Sequence, residues 1–153
     1  MGSLLILFHS QEYGNTAAMA RAIAEGAAAE GMKAVLVNTN EVRMDIDQYR
    51  LFSVAAFGSP DYYSYIAGGL KTFLDDWYIA KKNNARGLTG KKYGLFYSHG
   101  GGGDVKGPLE TLFSELGDKV GPTIASAGKP SRTVLDACCA LGKELARAAQ
   151  ERQ

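Results

Sequence analysis

The sequence predicts an α/β fold, a three-layer sandwich in which helices cover both faces of a five-stranded parallel sheet. Five short apolar runs alternate along the 153 residues with five stretches of helical character. The first run, at residues 4–8, is continuously apolar, as expected of a strand that is covered on both faces. Nothing between the runs resembles a linker, a repeat or a low-complexity tract, so a single domain over residues 1–153 is expected.

The predicted strands determine which loops meet. The runs lie at residues 4–8, 34–37, 54–57, 93–97 and 123–125. Alternating strands and helices make right-handed crossovers, so the main choice is where the winding direction reverses. For five strands the order 2-1-3-4-5 is the leading option. It makes the first, third and fourth strands neighbours, and the loops that follow them then share the edge of the sheet at which ligands bind.

Apolar residues between the strands recur at helical spacing, which predicts helices packed against the sheet. The first helix ends near Gly31, the second is short, and the last begins after a cap at Ser131. The apolar positions, in chain order, are Met19, Ile23 and Ala27; Ile46 and Tyr49; Ile66, Leu70, Phe73, Leu74 and Trp77; Leu109, Leu112, Phe113 and Leu116; and Val134, Cys138, Leu141 and Leu145.

Composition and charge favour a soluble, cytoplasmic protein. The hydrophobic fraction of 46% and the charged fraction of 22% are close to globular averages, and no long apolar tract or basic-then-apolar leader is visible. A net charge of +1 indicates neither a basic surface for nucleic acid nor a strongly acidic docking face. We therefore expect no nucleic-acid or membrane partner.

The two cysteines, Cys138 and Cys139, are adjacent in a predicted helix. This is the spacing neither of a metal site nor of a disulfide framework, so a reducing compartment fits best and no metal is expected. The simplest interpretation makes Cys138 a core residue and Cys139 its flank, and a redox role is the alternative.

The least ordinary loops follow the first, third and fourth strands, at residues 9–16, 59–69 and 98–107, whereas the other two loops are plain. Glycines and aromatic residues with a purely structural role would be spread among all five loops. Their concentration on one predicted edge indicates a ligand site there.

The first of these loops runs from a strand directly into a helix, whose first amides have no partner within the helix. The hydroxyls of Ser10 and Thr16, the Asn15 side chain and the amides near Gly14 can surround a phosphate monoester without Lys or Arg. The alternative is that Asn15 or Thr16 merely caps the helix. The motifs of nucleoside triphosphate and dinucleotide sites are missing, and Asn38 rather than an acid ends the second strand.

These residues carry a family resemblance. The strand, loop and helix that end in Gly14-Asn15-Thr16 resemble a flavodoxin phosphate loop. The segment Ser59-Pro60-Asp61-Tyr62, followed by GGLKTFLD at residues 68–75, resembles the SPxY…GxLKxFLD signature of the broader flavodoxin-like group. That group includes multimeric flavodoxins, NAD(P)H-dependent FMN reductases and quinone reductases. The resemblance covers essentially the whole chain and implies a flavodoxin-like sandwich with FMN as its cofactor.

The resemblance also implies which residues contact FMN. Tyr62 or Tyr63 should lie against the isoalloxazine ring, and the peptides of residues 60–64 should meet its N5 and C4 edge. The glycine-rich third loop should read the pyrimidine edge. The alternatives are that the tyrosines are surface aromatics, that the third loop is a flexible connector and that His99 is merely solvated. The predicted cofactor contacts are Ser10, Gln11, Tyr13, Gly14, Asn15, Thr16, Pro60, Asp61, Tyr62, Tyr63, Ser98, His99, Gly100, Gly101, Gly102, Gly103 and Asp104.

The chain departs from the flavodoxin pattern in two respects. Its first loop is one residue longer and contains Glu12, which is expected to point outward because a carboxylate about 8 Å from a phosphate dianion would cost roughly 1–2 kcal/mol. Low-potential flavodoxins resemble one another in strong negative charge and in a small residue, often Gly, beside flavin N5. This chain is nearly neutral and has no glycine at residues 59–67, which argues against a one-electron shuttle.

The function implied is that of an FMN-binding flavoprotein in electron transfer, with two-electron reduction of a small acceptor such as a quinone or free flavin, and NAD(P)H as donor. FMN carries such chemistry, so no catalytic side chain is assigned. One alternative is a non-enzymatic flavodoxin-type electron carrier that serves a redox partner protein. Another is an interaction domain of the same fold without FMN. Homo-oligomer formation is left open, because exposed flavins in this group are often covered by a neighbouring subunit.

Overall fold

The predicted sheet order is confirmed in the computed structural model, which describes residues 2–102 and 104–151. The strands are β1 (Ser3–Phe8), β2 (Lys33–Asn38), β3 (Val54–Pro60), β4 (Lys91–His99), β5 (Gly117–Lys119) and β6 (Ile124–Ala127). They run in the order β2-β1-β3-β4-β5, all pairs are parallel, and β6 also pairs with β4. The carboxyl ends of β1, β3 and β4 therefore lie side by side.

The described residues add a sixth strand to the five that were predicted. Residues 117–119 form a strand that the sequence interpretation missed, and they pair with the beginning of β4, whereas β6 pairs with its end. The fifth position of the sheet is thus divided between two short strands. Gly121, with φ of 68°, and Pro122 lie between them and interrupt the regular pairing.

Helices cover both faces of the sheet, as predicted. They are α1 (Asn15–Ala29), α2 (Ile46–Tyr49), α3 (Gly68–Lys82), α4 (Lys106–Phe113) and α5 (Arg132–Glu151), and a 3-10 turn follows α4. Gly31 adopts left-handed backbone after α1, and Ser131 Oγ accepts a hydrogen bond from the Val134 amide at 3.2 Å, so both predicted boundaries are confirmed. No helix within the described ranges combines the length and the apolar character of a membrane span.

Two apolar cores hold the sheet, one on each face. Rings from α2, β3, α3 and α4 pack together on one face, with the centroids of Phe57 and Phe113 only 4.5 Å apart. The opposite face packs smaller residues of α1 and α5 against β1, β3 and β4. Cys138 belongs to this second core, where burial and the neighbouring Cys139 raise the pKa of its thiol to about 12. The thiolate that redox chemistry requires is therefore disfavoured at Cys138.

Helices α1 and α5 approach each other closely because each carries a glycine at the contact. A Cβ atom on Gly26 would overlap the carbonyl oxygen of Cys139, and one on Gly142 would overlap the carbonyl oxygen of Ile23. The two glycines thus face the partner helix's backbone rather than a side chain that could move aside. This contact fixes α1, whose first turn forms one wall of the site described below.

We expect Gly26→Ala to lower the free energy of unfolding by about 1–3 kcal/mol, because the overlap with backbone outweighs the gain in helix propensity. Gly107→Ala is the matched control, since Gly107 is also helical but a Cβ there would meet nothing within 4 Å. Urea unfolding followed by circular dichroism measures both. Equal stability of the two variants would contradict the close-contact account.

Candidate functional site

A cleft of about 330 Å³ opens at the carboxyl edge of the sheet, where the first, second and third loops meet. Such a volume is within the usual range of small-molecule sites. Most of the predicted cofactor contacts therefore lie together in space. The lining residues are Ser10, Gln11, Glu12, Tyr13, Gly14, Asn15, Thr16, Pro60, Asp61, Tyr62, Ser98, His99, Gly100 and Gly128.

Ser98, at the end of β4, joins the three loops. Its hydroxyl lies 2.8 Å from the Thr16 hydroxyl in a buried hydrogen bond, which connects the third loop to the first. Its carbonyl oxygen accepts a hydrogen bond of 2.9 Å from the Asp61 amide, which connects the third loop to the second. Because these bonds lie at the base of the cleft, they hold its walls in a defined relative position.

The first loop presents unpaired amides to the cleft. Gly14 occupies the position before α1 with φ of 75°, and no side chain caps the helix. The alternative in which Asn15 or Thr16 serves as the cap is therefore wrong, since the first helical bond runs from the Ala18 amide to the Gly14 carbonyl. The amides before residue 18 have no partner in the helix and are suited to an anion.

The end of β2 supports the first loop, a contribution that the sequence interpretation missed. The Asn38 amide group donates to the Ser10 carbonyl at 2.9 Å, and its oxygen accepts from the Ser10 amide at 3.0 Å. Beside it, the Thr39 hydroxyl lies 2.9 Å from His9 Nδ1. The one available signal was Asn38 at a strand end, because asparagine readily bonds to nearby backbone.

The second loop places only one of its candidate tyrosines at the cleft. Tyr62 is partly buried and meets the His9 ring edge-on, with centroids 5.9 Å apart. Tyr63 and Ser64 both adopt left-handed backbone, in a two-residue turn closed by reciprocal bonds between Tyr62 and Tyr65. This turn directs the Tyr63 side chain into solvent, fully exposed and outside the cleft lining.

The third loop is divided between the cleft and solvent. His99 and Gly100 line the cleft, whereas Gly101, Gly102 and Asp104 are exposed and lie outside its lining. The Asp104 carboxylate instead accepts a hydrogen bond of 3.3 Å from the Ser64 hydroxyl. The predicted contact at Gly103 lies outside the described residues.

Gly128, in the loop after β6, is a further lining residue that the sequence interpretation missed. Its amide donates to the His99 carbonyl at 2.8 Å, and its backbone is left-handed, with φ of 73°. The loop looked plain because its part in the cleft is made by backbone, which a single glycine in a sequence does not reveal.

The charged groups that line the cleft are carboxylates. Glu12 is exposed to solvent, as an outward-pointing side chain should be, yet it also lines the cleft together with Asp61. A hydrogen bond to Glu12 raises the pKa of Tyr13, and burial, aided by the charge of Glu12, raises the pKa of Tyr62. Glu12 is therefore close enough to act on both tyrosines.

The residues present fit FMN. Unpaired amides at the start of α1 suit the phosphate, and Tyr62 offers a flat aromatic surface. His99 Nδ1 is buried and without a hydrogen-bond partner, which is the kind of orphaned polar atom found at ligand sites. The fold and the site together define the class of protein: an α/β flavoprotein with its cofactor at the switch point of a parallel sheet.

The comparisons with known proteins identify the family. The family model for flavodoxin matches residues 6–142, so the chain belongs to the flavodoxin family. A protein of Thermosynechococcus vestitus named as a diflavin flavoprotein is 30% identical over 93% of this chain. An archaeal flavodoxin structure aligns with a TM-score of 0.80 at 23% identity, covering 96% of this chain and 99% of the flavodoxin. The structure of the flavodiiron protein from Giardia intestinalis also aligns with a TM-score of 0.80, at 20% identity. That alignment covers 97% of this chain and 36% of the flavodiiron protein.

The family membership settles the cofactor and the general role. The domain takes FMN, and it is an electron-transfer flavoprotein of the flavodoxin fold. The alternative in which the fold has lost its cofactor has no support. The chain spans 24% of the length of the Thermosynechococcus relative, so the activity of that whole protein does not transfer directly.

We expect Glu12→Gln to tighten FMN binding up to about tenfold, because it removes a carboxylate that repels the phosphate dianion. Riboflavin, which lacks the phosphate, should bind both proteins equally. Glu25→Gln, an identical change on the exposed side of α1, is the control and should have no effect. Fluorescence titration measures the affinities of the three proteins for FMN and riboflavin, and unchanged or weaker FMN binding by Glu12→Gln would contradict the electrostatic account.

Asn38→Ala should lower the free energy of unfolding by about 1–2 kcal/mol and weaken FMN binding, since two bonds that hold Ser10 are lost. Asn40→Ala is the matched control, because the Asn40 side chain is exposed and only its backbone amide bonds to Asn38. Thermal unfolding and FMN titration give the two readouts. If the free energy of unfolding falls by the expected amount while FMN affinity is unaltered, Asn38 supports the strand rather than the site.

Proposed function

We propose that this domain is a two-electron oxidoreductase, in which FMN passes reducing equivalents from NAD(P)H to a small planar acceptor such as a quinone or free flavin. The observation that carries this proposal is the glycine stretch at residues 100–102 of the third loop, which begins at the cleft and has no side chains. A Cβ atom on Gly100 or Gly101 would meet nothing within 4 Å, and Gly102 is exposed. Where the glycine stretch meets the cleft, at Gly100, the wall is backbone with open space in front of it.

An open wall of this kind suits direct stacking. Hydride transfer requires the donor ring to lie flat on the flavin, and a planar acceptor needs the same position afterwards. A bulky side chain in the third loop would occupy that position. Here glycines leave it free, while Tyr62 on the second loop remains as a surface for the opposite face of the ring.

The second loop supports the same proposal. Low-potential flavodoxins resemble one another in a small residue beside flavin N5. In this chain the turn of the second loop consists instead of Tyr63 and Ser64, both in left-handed backbone. Two main-chain bonds close it, and the Ser64 hydroxyl donates to the Asp104 carboxylate of the third loop. A turn fixed at both ends is less suited to the rearrangement that a one-electron carrier makes, and it is compatible with two-electron chemistry.

The residues have binding and orienting roles. The amides at the start of α1 would hold the phosphate, Tyr62 would lie against the ring, and His99 would orient the acceptor at the cleft mouth. FMN, when bound, supplies the redox chemistry itself. None of the lining side chains is required as a nucleophile or a general base.

A second candidate is a non-enzymatic electron carrier that serves a redox partner protein. One observation favours it: the diflavin relative is about four times as long as the stretch that this chain matches. The same fold can therefore work as one module among others, passing electrons to a neighbour rather than to a small molecule.

Anaerobic titration with FMN, followed by NAD(P)H and then by a quinone, separates the two candidates. We expect NAD(P)H to bleach the bound flavin fully and the quinone to restore its absorbance over many cycles. Gly100→Phe should lower quinone turnover at least about tenfold by filling the open wall, whereas the matched Gly100→Ala should retain most of it. Slow reduction by NAD(P)H together with a stable one-electron reduced form would instead favour the carrier.

A further inference from the structure

His9 is the first residue of the first loop, and its ring is in edge contact with Tyr62, which lines the cleft. Its side chain is 93% buried relative to a fully exposed residue, since only 7% remains accessible. Both ring nitrogens have partners: Nδ1 lies 2.9 Å from the Thr39 hydroxyl, and Nε2 lies 3.0 Å from the Gln11 side-chain oxygen. Through Gln11, which lines the cleft, the imidazole is connected to the loop that would hold the phosphate.

The hydrogen bonds of His9 allow it to accept a proton with both ring nitrogens still bonded. The Gln11 oxygen can only accept, so Nε2 carries the hydrogen in the neutral ring. Nδ1 then accepts from the Thr39 hydroxyl. If Nδ1 gains a proton, the hydroxyl rotates and accepts instead, because a hydroxyl serves either role. Both states of the ring are therefore fully hydrogen-bonded in the same heavy-atom arrangement.

His99, the other histidine of the chain, differs in this respect. Its Nδ1 is buried and has no partner. Of the two histidines, only His9 has side-chain partners on both ring nitrogens.

The cleft needs a positive charge when FMN is present. The phosphate of FMN is close to a dianion at neutral pH. The charged side chains among the described lining residues are the carboxylates of Glu12 and Asp61, with no Lys or Arg. A proton on His9 would thus reduce a large local excess of negative charge.

The elements next to His9 carry acidic side chains and one helix N-terminus. Glu12 and Asp61 line the cleft, and Glu41 is exposed on the segment that carries Thr39. At the start of α3, Gly69 packs against Thr39, so the positive end of the helix dipole is directed towards this region. Tyr62, in edge contact with the ring, is neutral. Bound phosphate adds the strongest attraction and would decide the balance.

We propose that FMN binding draws a proton from solvent onto Nδ1 of His9, and that the resulting imidazolium compensates the phosphate charge through the Gln11 side of the first loop. The inference rests on FMN binding by this domain and on no step of the proposed reaction. Affinity for FMN should therefore fall as the pH rises through neutrality, whereas titration of the phosphate alone would change it in the opposite direction.

The proton is counted by titration calorimetry of the apoprotein with FMN in buffers of different ionisation enthalpy at about pH 7.5. We expect uptake approaching one proton per FMN, and none with riboflavin, which has the same ring but no phosphate. Equal uptake with both ligands, or proton release with FMN, would overturn the proposal. Failure of FMN to bind at all would instead overturn the assignment of the cofactor site.

His9→Gln should abolish the FMN-linked uptake and weaken FMN binding about tenfold near neutral pH, with little change for riboflavin. Glu25→Gln, on the exposed side of α1 and outside the cleft lining, is the control and should keep the uptake. Uptake that survives in His9→Gln would overturn the proposal.

A measurement on the unaltered protein covers the case in which His9→Gln does not fold. With two histidines in the sequence, NMR follows each ring directly. We expect the His9 ring signals in the FMN complex to titrate at higher pH than in the riboflavin complex. Identical titration in the two complexes would contradict the coupling.

Discussion

The buried hydrogen bond between the hydroxyls of Thr16 and Ser98 is the contact on which the site most depends. It joins the first turn of α1 to the end of β4, across 82 positions of sequence, at the base of the cleft. The Ser98 carbonyl then holds the second loop through the Asp61 amide. Three loops that are distant in the chain become one rim because two groups of a single residue bond to both neighbours.

This rim illustrates how a parallel sheet makes a site for an anion without basic side chains. The sheet brings the strand ends together, and α1 begins where its amides face the cleft with no cap. Positive character is supplied by backbone and, in our interpretation, by one protonated imidazole set behind the loop. The carboxylates of Glu12 and Asp61 make this arrangement sensitive to charge, so small electrostatic changes should have measurable effects on the cofactor.

The sequence was sufficient to predict the sheet order, the helices and most of the rim, because periodicity and loop composition are local signals. It was insufficient where function depends on backbone direction. The outward turn at Tyr63 arises from left-handed backbone at Tyr63 and Ser64, which the residue types Tyr and Ser do not predict. Gly128 contributes through its peptide group, which has no signal in the sequence. Asn38 and Thr39 were overlooked for a related reason: their partners, Ser10 and His9, are about 30 residues away, and the pairing appears only when β2 lies beside β1.

The division of the fifth sheet position has a consequence for assembly. An uninterrupted outer strand offers a continuous row of free amides and carbonyls that a second chain can extend. Here that row is broken between Lys119 and Ile124, where Gly121 and Pro122 turn the chain away from the ladder. This border of the molecule is thereby protected against strand-to-strand addition, whereas β2, at the opposite edge of the sheet, is an uninterrupted strand of six residues.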